Sequence, residues 1–133
     1  MNTVNFRIKQ LMELAEQALH TAQVNFEVGD FRATVNRAYY AIFYAANAML
    51  LTIGEERRKH SGVISAFRSH FIKSGPIESE YSNIYGETLT IREDADYAIE
   101  IPIFADAAEL SLNQARRFVQ RISEYLREKG FLE

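Results

Sequence analysis

Along most of the chain apolar residues recur at three- and four-residue steps, the spacing of one face of an α-helix. Val4, Ile8, Leu11, Ala15, Ala18, Leu19, Ala22 and Phe26 form such a stripe over residues 3–28. Gly29 supplies a C-terminal stop, and Asp30 can cap the helix that follows. That second segment, residues 31–53, starts with Arg32, Thr34, Asn36 and Arg37 and then turns apolar on nearly every side, with Asn47 the one strongly polar residue after Arg37. A helix apolar all round is buried all round, so this segment reads as the central helix of a bundle. A third helix is predicted over 61–74, with Val63, Ile64, Phe67, Phe71 and Ile72 inward and Gly75-Pro76 at its end. The fourth covers 77–98 through Tyr81, Ile84, Tyr85, Thr88, Leu89, Ile91 and Ala95. The fifth runs from after Pro102 to 129, on Ala107, Leu110, Ala115, Phe118, Ile122, Tyr125 and Leu126. No stretch alternates with period two, so no sheet is expected. The short run 99–103 can be extended, because Ile101 precedes Pro102.

The breaks between segments are single turns, with no linker, repeat or low-complexity tract. The 133 residues therefore read as a single all-α domain, 1–133, of about five helices. Apolar residues make up 47% and charged residues 25%, which excludes global disorder. Cysteine is absent, which removes a disulfide framework, a thiolate nucleophile and a Cys-ligated metal. The first stretch is interrupted by polar residues and lacks a signal peptide's apolar run. The most apolar run, residues 38–51, falls short of the roughly 20 residues that span a bilayer. A cytoplasmic protein with no membrane contact is expected.

The net charge of −3 argues against a general nucleic-acid binder, but it averages unlike regions. Residues 55–77 hold five basic and two acidic groups, whereas residues 78–115 hold nine acidic groups and a single cation, Arg92. The basic turn Arg57-Arg58-Lys59-His60 reads either as a solvated turn, with Ser61 as N-cap, or as an anion site at a helix start. Tyr39/Phe43 and Tyr40/Tyr44 are i,i+4 pairs, read as core packing whose hydroxyls reach a polar partner. Arg37, at the border of that run, is either a buried paired cation or one wall of a polar cleft. Arg92 and Asp96, four apart, form either an i,i+4 salt bridge or a phosphate clamp in which Asp96 and Tyr97 meet a ligand or a second chain. No Gly-rich phosphate loop, HExxH or Ser-His-Asp set is present. His20, His60 and His70 lack metal-ligand spacing, so neither a metal nor a cofactor is expected.

Four pieces in order carry a family resemblance: Asn36-Arg37-Ala38-Tyr39-Tyr40-Ala41-Ile42-Phe43-Tyr44, Lys59-His60-Ser61-Gly62-Val63-Ile64, His70-Phe71-Ile72-Lys73-Ser74-Gly75, and Arg92 with Ala95-Asp96-Tyr97. With them the chain resembles the HEPN domains, in particular their compact single-domain bacterial and archaeal members, over nearly its whole length. The resemblance implies an up-and-down antiparallel helical bundle, a homodimer, and frequent pairing with a minimal nucleotidyltransferase in a toxin–antitoxin module. It also implies, for many members, a metal-independent RNase in which an Arg is followed by four to six residues and a His.

Arg92 matches that Arg, but residues 97–99 are Tyr, Ala and Ile, so the expected His is missing. Asp96 and Tyr97 stand nearest to it, and neither is poised near pH 7 when unperturbed. The expectation is a HEPN-like dimer that binds a nucleotide, RNA or a nucleotidyltransferase, with a degenerate RNase motif. Arg92, Asp96 and Tyr97 would be its catalytic remnant, and Arg37, Arg57, Arg58, Lys59 and His60 its ligand-binding groups. The alternatives are an active endoribonuclease, with His60 taking part if folding brings it beside Arg92, and a purely structural scaffold.

Overall fold

A computed structural model describes residues 2–97 and 100–133, and among them every regular element is helical. Helix α1 spans Thr3–Glu27, α2 Phe31–Leu51, α3 His60–Phe67, α4 Ser79–Tyr97 and α5 Ala105–Glu128. A π-helical turn, Arg68–Ile72, continues α3. The expected ends of segment four at Ala98 and of the extended run at Ile99 lie outside the described residues.

The loop from Val28 to Asp30 is short enough to fold α1 and α2 into an antiparallel pair. Gly29 adopts φ +80°, a left-handed conformation that a Cβ would strain. Asp30 then caps α2, its carboxylate accepting from the Ala33 N–H at 3.2 Å. The remaining directions follow from side-chain ties. Arg32, at the start of α2, donates to the Ala95 carbonyl near the end of α4, so α2 and α4 run oppositely. Arg117 and Arg121, late in α5, reach Glu80 and Glu78 at the start of α4. The four long helices thus alternate up and down, as expected, and α3 fills the connection from α2 to α4.

Helix α2 contacts α1, α3, α4 and α5, but its second half is not buried on every side as expected, because the face of Tyr40, Phe43, Tyr44 and Asn47 is only partly covered. Tyr39, Ile42, Met49 and Leu50 of α2 are fully buried with Phe67, Tyr85, Phe118, Ile122 and Leu126. A smaller core of Val35, Ala95 and Ala108, with Phe26, Phe31, Ile91 and Ile103 against it, closes the end of the bundle where α4 stops.

Three details depart from the expected pattern. The N-cap of α3 is Lys59, which makes no side-chain cap bond, so Ser61 lies inside the helix and caps nothing. Early in α5 the buried positions are Ala108, Ser111 and Leu112 while Leu110 is exposed, because the phase set by Ala115, Phe118 and Ile122 admits Ser111 and turns Leu110 outward. Val4, too, lies exposed at the first turn of α1, beyond the reach of the core.

Candidate functional site

Four of the polar residues singled out in the sequence, Arg37, His60, Arg92 and Asp96, converge on one seam, where α2 meets the start of α3 and the last turns of α4. Helical spacing puts Asn36, Tyr39, Tyr40 and Phe43 on the side of α2 that faces this seam. The Tyr39 ring is fully buried, and its hydroxyl meets His60 Nδ1 at 2.8 Å. The imidazole also stacks on Phe43, with centroids 4.2 Å apart and planes 20° from parallel, and it meets the Tyr40 ring edge-on at 5.6 Å. From α4, the Arg92 guanidinium carbon stands 4.9 Å from the Tyr39 centroid and 5.7 Å from that of Tyr40. From α2 itself, the Arg37 guanidinium carbon stands 4.8 Å from the Tyr40 centroid. Two cations and an imidazole therefore share two adjacent tyrosine rings, contacts that are strengthened where water is excluded.

Neighbouring side chains fix the two guanidiniums. Asn36 Oδ1 accepts from Arg37 Nε at 3.1 Å and from Nη2 at 3.0 Å. Arg92 Nε lies 3.0 Å from Asp96 Oδ2, one helical turn on. That nitrogen is buried and yet makes no aligned hydrogen bond, so the pair is held by charge and not by a directed N–H. Arg32 donates to the Ala95 and Ile101 carbonyls and so ties the last turn of α4, and the chain beyond it, to α2.

The environment sets the protonation of the seam. Burial, and after it the nearby Arg92 charge, lowers the His60 pKa below its ordinary 6.5, so the imidazole is neutral at pH 7. Burial pushes the Tyr39 hydroxyl up to about 12; Arg92 opposes this, and Tyr40 and Glu93 add to it. Tyr39 keeps its proton, and among the described residues its one hydrogen-bond partner is His60 Nδ1. The tautomer with its proton on Nε2 lets the hydroxyl donate to Nδ1 and so leaves the buried Tyr39 O–H paired. The seam thus offers an N–H donor of a neutral ring beside two fixed guanidiniums, a donor set suited to phosphate oxygens. Among the described residues no three His, Cys, Asp or Glu side chains gather as a metal site would require.

The other candidate residues do not join this cluster. Arg57 is engaged by the Glu55 carboxylate and by the Glu56 carbonyl, the latter at 2.9 Å. Arg58 and Lys59 are exposed on the turn before α3, and of the basic turn only His60 reaches the seam. Tyr97 is 85% exposed, on the outside of the last turn of α4 and away from the buried tyrosine ring. A cleft of about 770 Å³ lies elsewhere, between the first half of α1 and the C-terminal tail, lined in part by Phe6, Lys9, Arg127, Phe131 and Leu132. Sequence reasoning treated Tyr39 and Tyr40 as core with a polar partner; Tyr39 is core and its partner is His60, whereas Tyr40 is only partly buried and meets His60 through its ring. The same reasoning missed Asn36, whose place beside Arg37 was the available signal, and Arg32, whose backbone acceptors leave no trace in the sequence.

Comparison with known proteins places the chain in a family. The HEPN domain family pattern matches residues 8–125. A Methanocaldococcus jannaschii protein named "Putative toxin MJ0605" is 40% identical over 91% of this chain and 90% of its own length. A second from that organism, "Putative toxin MJ0142", is 34% identical over 95% of this chain and 86% of its own. A UPF0332 protein of Gloeobacter violaceus is 38% identical over 89% of this chain and 94% of its own. The crystal structure of TT1696 from Thermus thermophilus superposes with a TM-score of 0.75 at 18% identity, covering 89% of this chain and 97% of that one, and so shares the helical fold. Pattern, relatives and fold agree, and the chain belongs to the HEPN domain family.

Proposed function

We propose that this HEPN-family chain is a toxin-type module whose α2–α3–α4 seam binds a phosphate group of a nucleotide or of RNA. The observation that supports it is the convergence of Arg37, Arg92 and neutral His60 on the Tyr39–Tyr40 pair. Arg92 is the principal anion ligand: its guanidinium lies against both tyrosine rings, and its contact with Asp96 is not an aligned hydrogen bond. Arg37 adds a second guanidinium and His60 adds its Nε2–H. Pairing with a second copy and with a minimal nucleotidyltransferase belongs to the same proposal; the names of the two relatives support its toxin part alone. Fluorescence anisotropy with a single-stranded oligoribonucleotide at two salt concentrations tests the site. Arg92→Ala is expected to weaken binding about tenfold and to lower the salt slope by about one. Equal binding and equal slope in both proteins would reject it.

The position of His60 favours a second reading, metal-independent RNA cleavage. The motif histidine expected after Arg92 is absent, but the fold brings His60 within range of the Arg92 charge. In this reading His60 exchanges a proton with the reacting ribose and leaving oxygens, and Arg92 stabilises the charge that develops on phosphorus-bound oxygen. An RNA-degradation assay in EDTA decides it. Cleavage by the wild type that is lost in both Arg92→Ala and His60→Ala supports the enzyme, and an inert wild type leaves only the binding module.

A further inference from the structure

We infer that Asp96 is the selectivity element of the seam, an internal anion that a ligand must displace from Arg92. The inference rests on the phosphate-binding reading above and adds which anions the site accepts. Four observations carry it. The Asp96 carboxylate lies 3.0 Å from Arg92 Nε, close enough to compete for the guanidinium with an incoming phosphate. The contact lacks hydrogen-bond alignment, so a better-directed acceptor can replace it. The two partners differ in freedom: the Asp96 side chain is 39% exposed and can rotate into solvent, whereas that of Arg92 is 22% exposed and lies against two tyrosine rings. Finally, the i,i+4 spacing holds the carboxylate at high local concentration whether or not a ligand is present.

The consequence is a threshold. A small anion that meets Arg92 alone exchanges one oxygen for another and gains little. A phosphate presented by a nucleotide or an RNA strand also reaches Arg37 and the His60 Nε2–H, and those added contacts tip the exchange. Asp96 therefore rejects free small anions and admits ligands that span the seam. It acts as a positioned competitor and not as an acid or a base.

The test compares the wild type with Asp96→Asn, Asp94→Asn and Arg92→Ala, all checked for folding by thermal melting. Asp94 is the charge control: it is exposed, and two residues from Arg92 it faces another side of α4. The probes are a fluorescein-labelled single-stranded oligoribonucleotide and inorganic phosphate as competitor. Asp96→Asn is expected to bind the oligoribonucleotide about three- to tenfold more tightly. Inorganic phosphate should then compete at concentrations that leave the wild-type complex intact, while Asp94→Asn stays within about twofold of the wild type. Equal affinities of wild type and Asp96→Asn, or an equal gain in Asp94→Asn, overturn the role of Asp96. If binding is lost in Arg92→Ala but unchanged in Asp96→Asn, the phosphate site stands and Asp96 has no part in it. If Arg92→Ala binds like the wild type, or no variant binds, the phosphate site fails and the inference fails with it.

Discussion

Replacing Tyr39 with Phe removes one hydroxyl from a ring that is fully buried and leaves the aromatic contacts in place. The atom lost donates the 2.8 Å hydrogen bond to His60 Nδ1. His60 is half-buried and reaches water, so the change strands no charge, and the expected cost is one ordinary net hydrogen bond, about 1 kcal/mol. For a chain of 133 residues that corresponds to a fall in Tm of roughly 3–5 °C. A double-mutant cycle with His60→Phe, which keeps a ring on Phe43, isolates the bond. Urea denaturation followed by circular dichroism at pH 7.5 should give a coupling energy of about 1 kcal/mol.

The pH dependence sharpens the test. The folded His60 pKa is depressed, by burial first and then by Arg92, below the unfolded value of 6.5. The unfolded chain therefore takes up the proton more readily than the folded one. The stability associated with neutral His60 is fully present above 6.5 and is lost as pH falls below that value toward the folded pKa. Protonation also fills Nδ1, so the hydroxyl must then accept from the imidazolium, and the contact changes from a neutral to a charge-assisted hydrogen bond. A coupling below about 0.3 kcal/mol at pH 7.5 would show that the Tyr39–His60 contact does not organise the seam.

Two further predictions concern the frame around the site. Arg121 donates to Glu78 Oε1 at 2.7 Å and Oε2 at 3.3 Å, and to the Pro76 carbonyl at 3.3 Å, pinning the chain before α4 onto α5. Arg121→Ala should cost about 1 kcal/mol in urea denaturation at pH 7, since Glu78 is half-exposed and the pair is screened. The Arg121 hydrogen bond, followed by one within Glu78's own backbone, lowers the Glu78 pKa below 4.5, so the stabilisation is present above 4.5 and the gap between the two proteins should close as pH falls through the folded value. A Cβ on Gly75 would sit 2.4 Å from both the carbonyl carbon and the oxygen of Phe71, an oxygen that accepts from the Ile77 N–H at 2.9 Å. Gly75→Ala must therefore displace the backbone of the turn, with an expected loss of about 2 kcal/mol or more, and a Tm equal to the wild type would contradict that geometry.

The order and number of helices were legible because their signals are local. The apolar run after Arg37 identified the central helix, and Gly29 and Asp30 marked the one turn whose chemistry is spelled out residue by residue. The π-helical turn was not legible: Arg68 to Ile72 has the composition of ordinary helix, and what widens the turn is its packing, with Phe71 buried and Arg68 bonded across to Ser82. Leu110 misled for a related reason, since hydrophobicity favours it over Ser111 while only the phase of the rest of α5 shows which one faces inward. At the site, Arg37, Arg92, Asp96 and His60 could each be picked out, and the Arg92–Asp96 pair followed from helix spacing. Their meeting could not be read, because Tyr39 and His60 lie 21 residues apart on different helices and no local pattern encodes that contact. With the motif histidine missing, His60 was the candidate imidazole if folding brought it beside Arg92, and the fold sets both residues against the Tyr39 ring.

The contact of α2 with every other helix carries a kinetic consequence. No helix can detach without wetting α2, so its amides should exchange with solvent only through global unfolding, among the slowest in the protein. Helix α4 is tied less firmly, with only Ile84, Tyr85, Thr88 and Ala95 buried, and its last turns can open in smaller excursions. The two halves of the seam therefore run on different clocks. Arg37 and Tyr39 ride on the helix expected to exchange slowest, while Arg92 and Asp96 belong to one with fewer buried side chains to hold it. A ligand arriving at the seam meets one wall that waits and one that adjusts.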